Sequence, residues 1–217
     1  MPATLPIAIP PFSLARQTEA LAPQLQAALL RVLASGRFAQ GPECEALERE
    51  LALELGGEPR LRTVTCASGT DALHLALRAV GVGAGDIVLT TPFTFFATAS
   101  AIVLAGARPE FVDIEPDGLN LDPAQLQAAL ARPRAGRVAA ILPVHLYGRM
   151  ADMPAILQAA GTIPVIEDAA QAIAARRDGK PAGSWGAAGC FSFYPTKNLG
   201  AAGEGGLVTT TDAGLED

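Results

Sequence analysis

Thr63-Val64-Thr65-Cys66-Ala67-Ser68-Gly69-Thr70-Asp71-Ala72-Leu73 contains, in order, a short β-prone run, a small polar turn and the start of a helix. Residues 63–66 suit a strand, and the helix that follows carries Leu73, Leu75, Leu77 and Val80. A strand passing through a tight turn into a helix is half of a parallel crossover unit, and the pattern repeats downstream. Strands are expected over 86–90, 108–113, 137–144 and 163–167. Helices are expected over 96–105, from Asp122-Pro123 to 131, and over 153–160. This alternation predicts an α/β protein, a mostly parallel sheet covered by helices on both faces. Residues 190–193 and 206–210 read as two more strands with no helix clearly between them, so part of the sheet is expected to be antiparallel.

Upstream, apolar residues recur at helical spacing over 13–33, and Gly36 ends the stretch. A second helix is expected after Gly41-Pro42, with Leu47, Leu51 and Leu55 on one face and Gly56-Gly57 closing it. The apolar, Pro-rich residues 7–12 suit an arm lying on another surface.

Composition narrows the function classes. Half of the 217 residues are apolar and the net charge is −6, with acids spread along the chain and no basic run. An electrostatic footprint for nucleic acid or anionic lipid is therefore not expected. No run approaches the roughly 18 apolar residues needed to cross a bilayer. Residues 1–11 make a poor signal peptide, which points to the cytoplasm. Cys44, Cys66 and Cys190 are widely spaced, in no pattern that suggests a disulfide framework or a metal site.

In an open α/β sheet, ligands bind beyond the carboxyl ends of the strands, and three polar segments fall there. At Ser68-Gly69-Thr70 the helix start favours a phosphate, although an ordinary N-cap by Ser68 or Thr70 accounts for it more simply. In Val165-Ile166-Glu167-Asp168-Ala169-Ala170-Gln171 an apolar strand delivers adjacent acids at its end. Asp168 reads there either as a helix N-cap or as the buried partner of a protonated ring nitrogen. In Cys190-Phe191-Ser192-Phe193-Tyr194-Pro195-Thr196-Lys197-Asn198-Leu199-Gly200 a lysine follows an apolar strand and a Pro turn. A lone lysine is usually a solvated charge, but such surroundings lower its pKa and suit a nucleophile toward carbonyls. Two Gly-rich runs, 81–85 and 200–206, lack the context of a nucleotide loop.

Taken with Gly36-Arg37-Phe38, Gly41-Pro42-Glu43, Thr91-Pro92-Phe93-Thr94-Phe95 and Pro143-Val144-His145-Leu146-Tyr147-Gly148, these segments resemble the DegT/DnrJ/EryC1/StrS sugar aminotransferase family. That family is a branch of the fold-type-I enzymes that use pyridoxal 5'-phosphate (PLP). The resemblance implies a three-layer α/β/α large domain over 36–217, preceded by an arm and helix over 1–35. It implies that the family's C-terminal small domain is missing from this chain. It assigns catalytic roles to Lys197, which would carry PLP and shuttle the proton, and to Asp168, which would pair with the ring nitrogen. Gln171 would contact the ring hydroxyl, Gly69, Thr70 and Ser192 would hold the phosphate, and Phe95 would stack on the ring, unless it is a core aromatic like its neighbours Phe93 and Phe96. His145 is expected to pack or support rather than catalyse, and no metal is implied.

The implied reaction moves an amino group from an amino acid, glutamate being the expected donor, to a keto group of a nucleotide-linked sugar. Related dehydratases carry histidine at the lysine position, so Lys197 favours transamination. Members act as homodimers in their full-length form. Two alternatives are a truncated, non-catalytic fragment and another fold-type-I chemistry such as a lyase or dehydratase.

Overall fold

The computed structural model describes residues 10, 12–56 and 61–215. The arm expected over 7–12 and the stop at Gly57 lie mostly outside the described residues. The chain divides into two compact units, Met1–Glu43 and Cys44–Asp217.

In the first unit, helix α1 (Ala15–Ser35) ends where Gly36 takes a left-handed φ of 65° and its N–H bonds to the Leu33 carbonyl. That conformation is open to glycine without a Cβ clash, so Gly36 ends the helix just after Ser35. Helix α2 (Pro42–Gly56) starts with a proline at its first turn, where no N–H is needed, and buries Leu51 and Leu55.

The second unit contains strands β1 (Arg62–Cys66), β2 (Ile87–Thr90), β3 (Arg108–Phe111), β4 (Val138–Leu142), β5 (Ile166–Asp168), β6 (Arg176–Arg177), β7 (Lys180–Pro181), β8 (Ala188–Ser192) and β9 (Gly206–Thr210). Its further helices are α3 (Gly69–Ala79), α4 (Phe96–Leu104), α5 (Pro123–Leu130) and α6 (Met153–Ala160). One sheet runs β1-β9-β8-β5 and another β3-β2-β4; the bridges Ile141 to Val165 and Val144 to Asp168 join them edge to edge. Every neighbouring pair from β3 to β8 is parallel, and β9 alone runs against its neighbours β8 and β1. Residues 193–205 join β8 to β9 without a crossover helix, which permits only an antiparallel return.

The central strands are buried along their length, with successive side chains facing opposite cores, as in a sheet covered on both faces. Ile87, Leu89, Ile141, Val165 and Phe191 join the core that holds Leu51, Leu126 and Met153 from α2, α5 and α6. Val88, Leu142, Ile166 and Cys190 face the opposite core, with Leu73, Leu77, Ala101 and Ile102 from α3 and α4. Each fully buried large apolar side chain contributes about 1.5–3 kcal/mol. The edge strand β1 is managed by α2: Glu48 Oε1 accepts from the Thr65 N–H and hydroxyl, both at 2.7 Å.

One local alternative is excluded. No helix follows Asp168, so it is not a helix N-cap; its strand gives way to turns and to the small antiparallel hairpin β6–β7. Two-residue strands are too short to register as a periodicity, which is why that hairpin was not expected. The run 81–85 forms the turn from α3 to β2, with Gly81 and Gly85 at φ 81° and 84°. Among the described residues, no helix is long and apolar enough to cross a membrane.

Candidate active site

The carboxyl ends of β1, β4, β5 and β8 open onto one cavity of about 490 Å³. Gly69, Thr70, Phe95, Asp168, Gln171, Ser192 and Lys197, the residues singled out from sequence, all line it. Its size falls within the range of small-molecule and cofactor sites.

At one end lies the N-terminus of α3. Ser68 caps it, accepting from the Asp71 N–H at 3.1 Å, so the simpler reading of this turn holds. The cap does not exclude an anion, because Gly69 and Thr70 still begin the helix at the cavity wall. The turn also packs tightly on β8: a Cβ at residue 69 would stand 2.5 Å from Ser192 Cβ. Gly69→Ala should therefore lower the unfolding free energy by about 1–3 kcal/mol in urea titration, despite alanine's better helix propensity. Unchanged stability would mean that Ser192 moves aside at no cost.

Asp168 ends β5, is 5% exposed, and sits beneath the cavity. Its Oδ2 accepts from the Thr98 hydroxyl at 2.7 Å and its Oδ1 from the Ala170 N–H at 3.2 Å. Among the described residues it makes no ion pair, although the Lys197 amine exerts a favourable field on it. Burial pushes its carboxyl above the ordinary value, and the Thr98 hydrogen bond is the largest opposing influence. A buried carboxylate without a counter-cation is suited to receive one.

Lys197 lies in the connection from β8 to β9. Phe193 N–H bonds to Gly205 O at 2.8 Å, Ala201 N–H to Phe193 O at 2.7 Å, and Lys197 N–H to Tyr194 O at 2.8 Å. These bonds close the loop at its base and bend it at the lysine. Gly200 is needed there, since a Cβ would meet the Pro195 carbonyl oxygen at 2.5 Å. Burial lowers the Lys197 amine below its ordinary pKa, and the Asp168 carboxylate partly offsets that. A larger fraction is then the neutral, nucleophilic amine.

Gln171 Oε1 accepts from the N–H of Tyr147, a residue held at the uncommon φ of 54°. Phe95 is 69% exposed, and Phe93 and Phe96 are exposed as well, so none of the three is a core aromatic. His145 is fully buried; its Nδ1 accepts from the Ala151 N–H at 3.1 Å, leaving Nε2 to donate to Glu167 at 2.9 Å. Glu167 also accepts from the N–H groups of Gly183, Trp185 and Gly186, so its buried carboxylate is fully engaged. Sequence reasoning did not single out Thr94, Thr98 or Glu204. Thr94 and Glu204 line the cavity and Thr98 holds Asp168.

The profile of the DegT/DnrJ/EryC1/StrS aminotransferase family matches residues 19–217. A protein of Geobacillus stearothermophilus, named a pleiotropic regulatory protein, is 47% identical over 96% of this chain and 55% of its own length. A UDP-N-acetyl-3-dehydro-alpha-D-glucosamine 3-aminotransferase of Acidithiobacillus ferrooxidans is 46% identical over 96% of this chain and 55% of its own length. The crystal structure of a DegT DnrJ EryC1 StrS aminotransferase from Brucella abortus superposes with a TM-score of 0.90 at 39% identity, covering 96% of this chain and 56% of the other. NtdA from Bacillus subtilis, solved with the cofactor PMP bound, superposes with a TM-score of 0.86 at 32% identity, covering 98% and 47%. The chain thus spans about half the length of the relatives it matches.

Proposed function

Because this chain belongs to the DegT/DnrJ/EryC1/StrS aminotransferase family, we propose that it forms the PLP-binding part of an enzyme that transfers an amino group from an amino acid, glutamate, to a keto group of a nucleotide-linked sugar. One observation carries the reading: a buried carboxylate without an ion-pair partner, an amine of lowered pKa and a helix N-terminus face a single cavity. Those three groups match the ring nitrogen, aldehyde and phosphate of PLP. The chemistry supplied by bound PLP is an electron sink for a carbanion next to nitrogen, effective when the ring nitrogen is protonated.

Each residue then has a separate task. Asp168 opposes the ring nitrogen and keeps its proton in place. Lys197 Nζ would hold the cofactor through its aldehyde carbon and would serve as the base that carries the substrate proton. Gly69, Thr70 and Ser192 hold the phosphate, Gln171 contacts the ring hydroxyl, and Phe95 covers one ring face. Lysine rather than histidine at residue 197 favours transamination over dehydration. Residues 36–217 would constitute the large domain and residues 1–35 the arm and first helix. The full-length enzyme would be a cytoplasmic homodimer.

The test is the visible spectrum of the purified protein loaded with PLP, before and after glutamate. A long-wavelength band that bleaches with glutamate and returns with a 3-keto nucleotide sugar supports the reading, and a band indifferent to every amino donor overturns it. Since Lys197 reacts as the free amine, PLP capture should accelerate as pH rises toward its lowered pKa and then level off. Stopped-flow absorbance would detect this, and a rate falling with pH over that range would contradict it.

A further inference from the structure

We infer that Thr94 and Thr98 form a one-way hydroxyl chain that aims the Asp168 carboxylate and holds it in its charged form, with Thr98 as a positioning residue. The inference concerns Asp168 in the role given to it above and so rests on that reading.

Thr98 is fully buried in α4 beside Ala101 and Ile102, where an apolar side chain would pack as well. A buried hydroxyl without a partner is costly, so its presence calls for a specific bond. Ser100, on the same helix, takes the usual local option and donates to the Ala97 carbonyl at 3.2 Å. Thr98 instead reaches across 70 residues of sequence to Asp168 Oδ2, at 2.7 Å. Thr94, one helical turn earlier, lies 2.7 Å from the Thr98 oxygen and lines the cavity.

Proton counting sets the direction. A threonine hydroxyl has one proton, and an ionised carboxylate has none to give. The Thr98 proton therefore belongs to the bond with Asp168, and the contact between the two threonines is donated by Thr94. A protonated Asp168 directing its proton at Thr98 would reverse both bonds. A hydrogen bond donated to the ionised carboxylate favours that form, and this direction leaves Thr94 only lone pairs to offer a ligand. The Ala170 N–H and, from the loop after β8, the Lys197 amine also act on Asp168, while the Cys190 thiol on β8 feels its charge and the neutral His145 after β4 is engaged with Glu167. Helix α4 carries no charged residue, so its one means of acting on Asp168 is this hydroxyl.

The test is the titration of the Asp168 side-chain carboxyl by 13C NMR in the cofactor-free protein, with PLP dissociation constants measured alongside. Thr98→Val keeps the shape and removes the hydroxyl; its carboxyl midpoint should rise, and PLP binding at neutral pH should weaken about tenfold, as for loss of a hydrogen bond to a charged group. Thr98→Ser should restore both, which a purely steric role would not allow. Thr94→Val, remote from the tightest packing, should raise the midpoint by less. A wild-type midpoint in Thr98→Val, or in Thr94→Val if the first variant does not fold, overturns the chain. Should PLP bind none of the proteins, the functional reading fails while the carboxyl titration still decides this inference.

Discussion

Lys197→Ala should leave the protein unable to retain PLP through dialysis and abolish the visible band expected of the loaded protein. The chain has two lysines, Lys180 and Lys197, and only Lys197 lines the cavity. Lys180 lies 4.7 Å from the centre of the Trp185 ring on the exposed hairpin β6–β7, so Lys180→Ala is the matched control and keeps the band. Lys197→Arg should be as inert as Lys197→Ala, because a guanidinium stays protonated and cannot attack a carbonyl. Losing the proton carrier alone costs about 10²–10⁴-fold in rate, and losing covalent attachment adds to that. Single-turnover kinetics with glutamate would read the combined effect. A band that survives in Lys197→Ala and disappears in Lys180→Ala would relocate the site.

Asp168→Asn should have opposite effects on binding and on stability. It removes the charge that, in the proposed function, opposes the ring nitrogen, while keeping the side chain's shape. Removing one member of a buried charge pair costs about 3–5 kcal/mol, which corresponds to about 10²–10⁴-fold in the PLP dissociation constant. Without cofactor the sign reverses. Burial raises the Asp168 pKa in the folded protein, so the folded state keeps a proton that the unfolded chain has released. Wild-type stability therefore falls as pH rises above the ordinary carboxylate range toward that raised value, and asparagine removes the dependence. The cofactor-free variant should melt above wild type at neutral pH, with the gap closing as pH drops through the carboxylate range. Equal PLP affinity in the two proteins would exclude Asp168 as the ring-nitrogen partner.

Much of this architecture was legible because it is written locally. A mostly parallel sheet covered by helices follows from short apolar runs alternating with helical spacing, the resemblance identifies it as the three-layer α/β/α fold of the fold-type-I aminotransferases, and α6 falls where the spacing placed it. Asp168 could be found because it ends an apolar strand, where a polar residue needs a reason, and Lys197 because it follows one through a Pro turn. Ser68 was ambiguous for a physical reason, since a helix cap and a phosphate site use the same N–H groups.

The sequence by itself determined the elements, the faces they bury and which polar residues stand at strand ends. These depend on neighbours within a few positions. The tertiary structure alone decided that β9 inserts between β1 and β8, that Glu48 closes the β1 edge, and that Thr98 holds Asp168. Such pairings join residues far apart in the chain, and a threonine in an apolar helix looks the same whether or not a carboxylate lies beside it. Which distant groups meet is set by packing two cores on one sheet, an outcome of the whole chain and of no single segment.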